Sequence, residues 1–223
     1  MPRRTNRCLI LASASPRRRE LLSLLGLPFA ILSAPVDETV RAGESPVALV
    51  QRLSRAKAQA VAATRGHGLI LAADTVVVLT GAEGRLLGKP ADAAEAEAML
   101  RTLRDRAHKV CSGVAVLDLR TGQLKQSVAE SIVWMRAYTD EELRAYVQSG
   151  DPLDKAGAYA IQDPGFRPVA RVDGCWASVM GLPLCHVTWL LRELGVQPPA
   201  DVAGACQAYH QLQCLVADII LPS

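Results

Sequence analysis

No excess of charge of either sign marks this chain of 223 residues: 25 Lys and Arg stand against 22 Asp and Glu, a net of +3. Nothing global therefore advertises nucleic-acid binding, and any charge logic must be local. No run approaches the eighteen or so apolar residues that a spanning helix needs, so no membrane partner is expected. The six cysteines, at 8, 111, 175, 185, 206 and 214, form no C-x-x-C pair and no zinc spacing. That pattern reads as reduced thiols in a cytoplasmic protein. Cys206, His210 and Cys214 stand at i, i+4 and i+8 and can line one helical face, but a fourth metal ligand is not evident. Packing is the better reading of that face.

Other signatures are missing too. There is no G-x-x-x-x-G-K-[ST] loop and no G-x-G-x-x-G, so neither standard nucleotide fingerprint applies. No G-x-S-x-G or Ser–His–Asp layout appears, nor any repeat or low-complexity segment. The N-terminus offers a decoy. Arg3, Arg4 and Arg7 precede a short apolar run, and Ala12-Ser13-Ala14 has the form of a cleavage site. The run is shorter than a signal core and Arg17-Arg18-Arg19 follow at once, so it reads as part of the fold.

What remains is a folding sequence. Half of it is hydrophobic and 21% charged, with a mean hydropathy of +0.15. That excludes a disordered chain and allows one large domain or two small lobes. Residues 7–13 read as a short buried strand, 16–25 as a helix stopped by Gly26, and 46–63 as a second helix. A β-branched strand spans 69–80, and Asp92 caps a helix to about Leu103. Strands over 108–119 and 124–136 flank a turn at 120–123, which makes a hairpin. Thr139 and Glu142 form a capping box for a helix ending at Gly150. Residues 151–181 are rich in glycine, proline and strand-like pieces such as 158–161. A last core helix runs from Pro183 to Gly195, and 200–220 is an apolar helical tail. The alternation gives an α/β fold with mixed pairing.

Three places break local rules, and such places are where function is sought. The first is Ser13-Ala14-Ser15-Pro16-Arg17-Arg18-Arg19. Ser15 is a good N-cap and Pro16 a good first helical residue, yet three arginines follow where the helix dipole favours acids. A bound polyanion reverses that penalty by taking arginines, backbone N–H groups and serine hydroxyls together. The second is Lys57, which falls in the apolar stripe Leu49, Val50, Leu53, Ala56, Ala60 and Val61, where it must snorkel, lose its charge or meet an anion. The third is Asp74 inside Leu-Ile-Leu-Ala-Ala-Asp-Thr-Val-Val-Val. It belongs at a strand end or bulge, paired to a cation or metal. Lys89 in Gly88-Lys89-Pro90, the pair Asp151 and Lys155, Glu38 and Gln162 complete the candidates. Basic groups and carboxylates spread over separate loops suit a metal-bound polyphosphate: carboxylates for Mg²⁺ or Mn²⁺, cations for the phosphate oxygens.

These motifs resemble the Maf family of nucleoside triphosphate pyrophosphatases. The resemblance is carried by Leu11-Ala12-Ser13-Ala14-Ser15-Pro16-Arg17-Arg18 with Glu20-Leu21-Leu22, then Asp37-Glu38, Lys57-Ala58, Ala73-Asp74-Thr75 and Gly88-Lys89-Pro90. It continues through 154–162 and Gly181-Leu182-Pro183-Leu184, so it covers about 8–194. It implies a two-lobed α/β fold, a mixed sheet flanked by helices with a cleft between the lobes, similar to the inosine triphosphate pyrophosphatases. It implies hydrolysis of a nucleoside triphosphate to the monophosphate and pyrophosphate with a divalent cation. By the match, Asp74 accepts the proton from water and joins Glu38 as a metal ligand. Ser13, Ser15, Arg17, Arg18, Lys57 and Lys89 hold the triphosphate, with Lys155 assisting. Arg17, Thr75 and Gln162 side with the dTTP/UTP subgroup rather than the 7-methyl-GTP one. A glutamine amide can pair with the O4 and N3–H edge of a pyrimidine.

The chain departs from the family pattern at Asp151, where glutamate is usual, at Gln162-Asp163-Pro164-Gly165-Phe166, and at Cys175-Trp176. These departures bear on substrate preference more than on reaction type. A division into a 1–195 pyrophosphatase domain and a 196–223 tail follows, the tail packing on its own domain or pairing with another subunit in a homodimer. A non-catalytic nucleotide or nucleic-acid binder that regulates cell division is the rival class. It has no need of Glu38 and Asp74 together.

Overall fold

A computed structural model describes residues 8–81 and 84–221; the arginines at 3, 4 and 7 lie outside them. Seven strands form one mixed sheet in the order β2-β1-β3-β5-β6-β7, with β4 paired to β3. The short strands β1 (Leu9–Leu11) and β2 (Phe29–Ile31) run parallel to each other, and β1 runs parallel to β3 (Leu69–Leu79). From β3 onward the sheet turns antiparallel, through β5 (Ala107–Asp118), β6 (Leu124–Met135) and β7 (Val169–Asp173). The two-residue β4 (Leu86–Leu87) pairs antiparallel with Val77 and Val78. Neither β2 nor β4 is expected from the sequence. Three and two residues carry too little alternation, and both form only as additions to a neighbour's edge.

The helices follow their caps. Ser15 and Ser45 cap α1 (Pro16–Ser23) and α2 (Pro46–Ala62), each with proline in the first turn. Asp92 caps α3 (Ala93–Leu103), and the Thr139–Glu142 box opens α4 (Asp140–Gln148). A single turn, α5 (Trp176–Val179), precedes α6 (Leu184–Glu193).

Alternation along β3 divides the core. Leu69, Leu71, Ala73 and Val77 pack in the main cluster with Leu21 and Leu22 of α1, Leu100 and Leu103 of α3, and Leu190 and Leu191 of α6. Ile70 and Ala72 face the other way, with Ala58 and Val61 of α2. The buried face of α2 is Leu49, Val50, Leu53, Ser54, Ala58 and Val61. Ala56 and Ala60 are half-buried, so the stripe is centred further round than the sequence suggests, and Ser54 enters it because its hydroxyl donates to the Gln51 carbonyl.

Residues 156–162 are not strand-like. Ala156–Ala158 form a 3₁₀ turn with Gly157 at φ 71°, and 161–162 form another turn. Gly157 N–H donates to the Gly88 carbonyl, which ties this segment to the turn after β4 instead of to a ladder. The tail is helical in two pieces, α7 (Val202–His210) and α8 (Ala217–Ile220). Gln211 adopts a left-handed conformation, so Cys214 lies beyond the end of α7 and not on its face. Val202 and Cys206 are buried within the main cluster that includes α6.

Candidate functional site

The cleft begins where a strand stops. β1 pairs with β3 only as far as Leu71, and β4 joins the same edge at Val77. Between them lies an uncovered stretch of β3 that contains Asp74 and Thr75. Successive strand residues project to opposite faces. Here, with no neighbouring strand in the way, both open onto one cleft of about 750 Å³. The expectation that Asp74 sits at a strand end or bulge is therefore corrected. It lies mid-strand in regular register with Gly113, and the end that matters is that of β1.

All eleven candidate residues line this cleft: Ser13, Ser15, Arg17, Arg18, Glu38, Lys57, Asp74, Thr75, Lys89, Lys155 and Gln162. They come from the β1–α1 loop, the 33–45 segment, α2, β3, the turn after β4 and the 154–162 turns. Distant loops of one sequence meet because the sheet leaves a gap there.

Asp74 is buried, and Lys57 Nζ donates to its Oδ1 at 2.6 Å. The same ammonium lies 2.8 Å from Glu38 Oε1. Lys57 thus meets anions instead of snorkelling to water. Burial pushes the Asp74 carboxyl above its ordinary range, and the charge and hydrogen bond of Lys57 pull it only part of the way back. Glu38 goes the other way. Burial raises it, but the Lys57 hydrogen bond and charge, with Lys89 and Arg18 nearby, hold it below the usual value. Two carboxylates of opposite tuning thus share one ammonium. Among the described residues, no group of three or more His, Cys, Asp or Glu comes together as a ready-made metal cage. Two carboxylates with water and phosphate oxygens suffice for Mg²⁺, so this donor set fits one.

The arginines divide their work. Ser15 Oγ accepts from Arg18 N–H at 3.4 Å, which fixes the helix start. Ser13 Oγ accepts from Ser15 N–H at 3.2 Å and from Arg18 Nη1 at 3.5 Å. Arg18 Nε donates to the Gly181 carbonyl at 2.9 Å, and Nη2 to Thr75 Oγ1 at 3.3 Å. Burial lowers the Arg18 guanidinium below its usual value, offset in part by Asp74. Arg17 reaches across to Asp154 Oδ2 at 3.3 Å.

Lys155 is placed at the cleft but held fast. Its ammonium donates to the Asp151 carbonyl at 2.5 Å, Asp151 Oδ1 at 2.8 Å and Asp154 Oδ1 at 2.6 Å. An ammonium has three protons, so none is left over for a phosphate while these bonds stand. Lys155 here holds Asp154, and Asp154 holds Arg17. Asp151 also accepts from Tyr146 Oη at 2.7 Å, which spends it on the scaffold. Lys89 and Gln162 are exposed and available.

Two departures from the family pattern turn out to be structural. Asp163 Oδ1 accepts from the N–H groups of Gly165 at 3.0 Å and Phe166 at 2.6 Å, capping its own turn, and Phe166 stacks on Tyr146 at 4.5 Å. Cys175 is buried away from the cleft, beside Cys185, Cys206 and Cys214 in a small apolar pocket under the tail. Sequence reasoning placed Asp154 and Gly181 in blocks that match the family but gave neither a role, and it missed Ser112, whose one signal is a hydroxyl inside the apolar run of β5.

The Maf family model, described as Maf-like protein, matches residues 8–194. A dTTP/UTP pyrophosphatase of Moorella thermoacetica is 49% identical over 188 residues, 84% of this chain and 95% of that one. The protein of the same name from Myxococcus xanthus is 49% identical over 191 residues, 86% of this chain and 94% of its own. That from Pelotomaculum thermopropionicum is 43% identical, covering 84% and 96%. The solved structure of the Staphylococcus aureus Ham1 protein aligns with a TM-score of 0.44 at 13% identity, over 72% of this chain and 79% of that one.

Proposed function

The chain belongs to the Maf family, and on that premise we propose that it hydrolyses nucleoside triphosphates, dTTP and UTP foremost, to the monophosphate and pyrophosphate. The observation that carries this reading is Asp74: a buried carboxyl with a raised proton affinity, open to a cleft whose other charged side chains are mostly cationic. A general base works best when its affinity for protons lies nearer the working pH than that of a free carboxylate.

Water attacks the α-phosphorus. The new bond is from water oxygen to phosphorus, and the bond to the bridging oxygen of the β-phosphate breaks with its electron pair leaving on pyrophosphate. The water proton passes to Asp74. Its Oδ1 is engaged by Lys57, and Oδ2 makes no hydrogen bond among the described residues. Arg17, Arg18, Lys57 and Lys89 balance the phosphate charge, which is the main demand of phosphoryl transfer. Ser13 and Ser15 shape the loop that presents Arg18. The carboxylates of Glu38 and Asp74 would hold a divalent cation, Mg²⁺ or Mn²⁺, whose charge neutralises phosphate oxygens when it is bound. Gln162 stands at the cleft margin with an amide suited to a pyrimidine edge.

The test is pyrophosphate release from each common triphosphate, and from 7-methyl-GTP, with Mg²⁺ or Mn²⁺ and with an Asp74→Asn control. Release from dTTP and UTP that falls at least about a hundredfold in the variant is expected. Preference for another nucleotide would keep the chemistry and move the base reading. Silence across the panel with nucleotide binding intact would leave a binder.

A further inference from the structure

Behind Thr75 lies a buried hydroxyl that the reaction scheme does not use. Thr75 and Ser112 are register partners on β3 and β5, so their side chains share a face, and their hydroxyl oxygens are 2.7 Å apart. Ser112 is fully buried. Its hydroxyl donates to the Ser178 carbonyl at 2.6 Å. A serine has one proton to give, and a carbonyl has none. The proton between Thr75 and Ser112 must therefore come from Thr75. On its other side, Thr75 Oγ1 meets Arg18 Nη2 at 3.3 Å, and a guanidinium only donates.

The direction of every bond is thus fixed from both ends: Arg18 to Thr75, Thr75 to Ser112, Ser112 to the Ser178 carbonyl. The chain closes on itself, because Gly181 N–H also donates to the Ser178 carbonyl at 2.9 Å while the Gly181 carbonyl accepts from Arg18 Nε. Position 181 must be glycine for this ring to fit. Its φ is +103°, and a Cβ there would sit 3.2 Å from Arg18 Nε and 3.3 Å from Thr75 Oγ1.

We propose that Ser112 is a positioning residue for substrate binding: it turns the Thr75 hydroxyl so that a lone pair faces Arg18, and the guanidinium is thereby aimed into the cleft. With Nε, one Nη1 proton and one Nη2 proton held by Gly181, Ser13 and Thr75, a proton on each terminal nitrogen is left for phosphate oxygens. Thr75, its only proton spent inward, serves the triphosphate arm through Arg18 and donates nothing to the base. This deepens the proposed function and rests on it for the identity of the substrate.

The test is a double-mutant cycle on binding of inorganic tripolyphosphate, which has the phosphates and no base, measured by calorimetry on the full chain. Ser112→Ala and Thr75→Val should each weaken binding about tenfold, the worth of a charge-assisted hydrogen bond. The double variant should be no weaker than the single ones, because Ser112 acts only through Thr75. A merely structural serine would give losses that multiply, or a fall in thermal midpoint with binding intact. Either result overturns the proposal, as does failure of the wild-type protein to bind tripolyphosphate. Ser112→Cys keeps the volume with a weak donor and replaces Ser112→Ala in the cycle should that variant not fold. Tripolyphosphate binding without hydrolysis of dTTP or UTP would count against the proposed function and leave this relay standing.

Discussion

Asp74 on β3 is the register partner of Gly113 on β5, and the missing side chain at 113 is what admits α2 to the carboxylate. Partners in an antiparallel ladder share a face. A Cβ at 113 would stand 2.5 Å from the Val50 carbonyl of α2, which has nowhere to go in a buried layer. The close approach of the helix here places Lys57, two turns further on, beside Asp74. Position 113 thus belongs to the chemistry without touching substrate.

Gly113→Ala is expected to push α2 off the sheet. Overpacking of this kind costs about 1–3 kcal/mol, and the thermal midpoint should fall accordingly. The loss of kcat/KM should exceed what the unfolded fraction explains, because the Lys57–Asp74 pair is stretched. A midpoint drop with unchanged kcat/KM would separate the two effects and contradict the link.

Lys57 favours the charged form of Asp74 by hydrogen bond and charge, against a larger opposing effect of burial. The base must be ionised to act, so the acid limb of the kcat/KM profile should lie above the range of an ordinary carboxylate. Lys57→Met removes the favourable part and should move that limb to still higher pH, along with a loss in substrate affinity. Measuring kcat/KM across pH for both proteins checks the sign. A limb that moves down would show that Asp74 is not the group being titrated.

We propose that the tail is a clamp on the domain and no part of the cleft. Val202 and Cys206 are buried against the main core, and none of the described residues 196–221 lines the cleft. Ending the chain at Gly195 should lower stability by about 2–4 kcal/mol, from the loss of the tail's buried side chains, Val202 and Cys206 foremost, and leave KM unchanged. If size-exclusion mass also drops by half, the tail pairs subunits instead.

Much of this arrangement is legible in the sequence, and the reasons differ by residue. Ser15-Pro16 and Thr139 with Glu142 announce helix starts because capping is local chemistry. Lys57 and Asp74 stand out because each is a charge in an apolar pattern, and the structure joins them to each other. Other features are invisible for an equally physical reason. That β1 stops at Leu11, paired with Leu71 of β3, and so leaves Asp74 uncovered is a matter of pairing between distant strands. The engagement of Lys155 by Asp151 and Asp154 depends on a 3₁₀ turn that no periodicity reports. The role of Ser112 exists only once β3 and β5 are in register and α5 lies against β5.

The most direct measurement is hydrolysis of dTTP or UTP in ¹⁸O-labelled water, with the label located in the products by mass spectrometry. Attack at the α-phosphorus by a water that Asp74 deprotonates puts the label in the monophosphate and leaves pyrophosphate unlabelled, with Asp74→Asn giving neither product at an appreciable rate. Label in pyrophosphate, or in inorganic phosphate, would place the attack on another phosphorus and contradict the account.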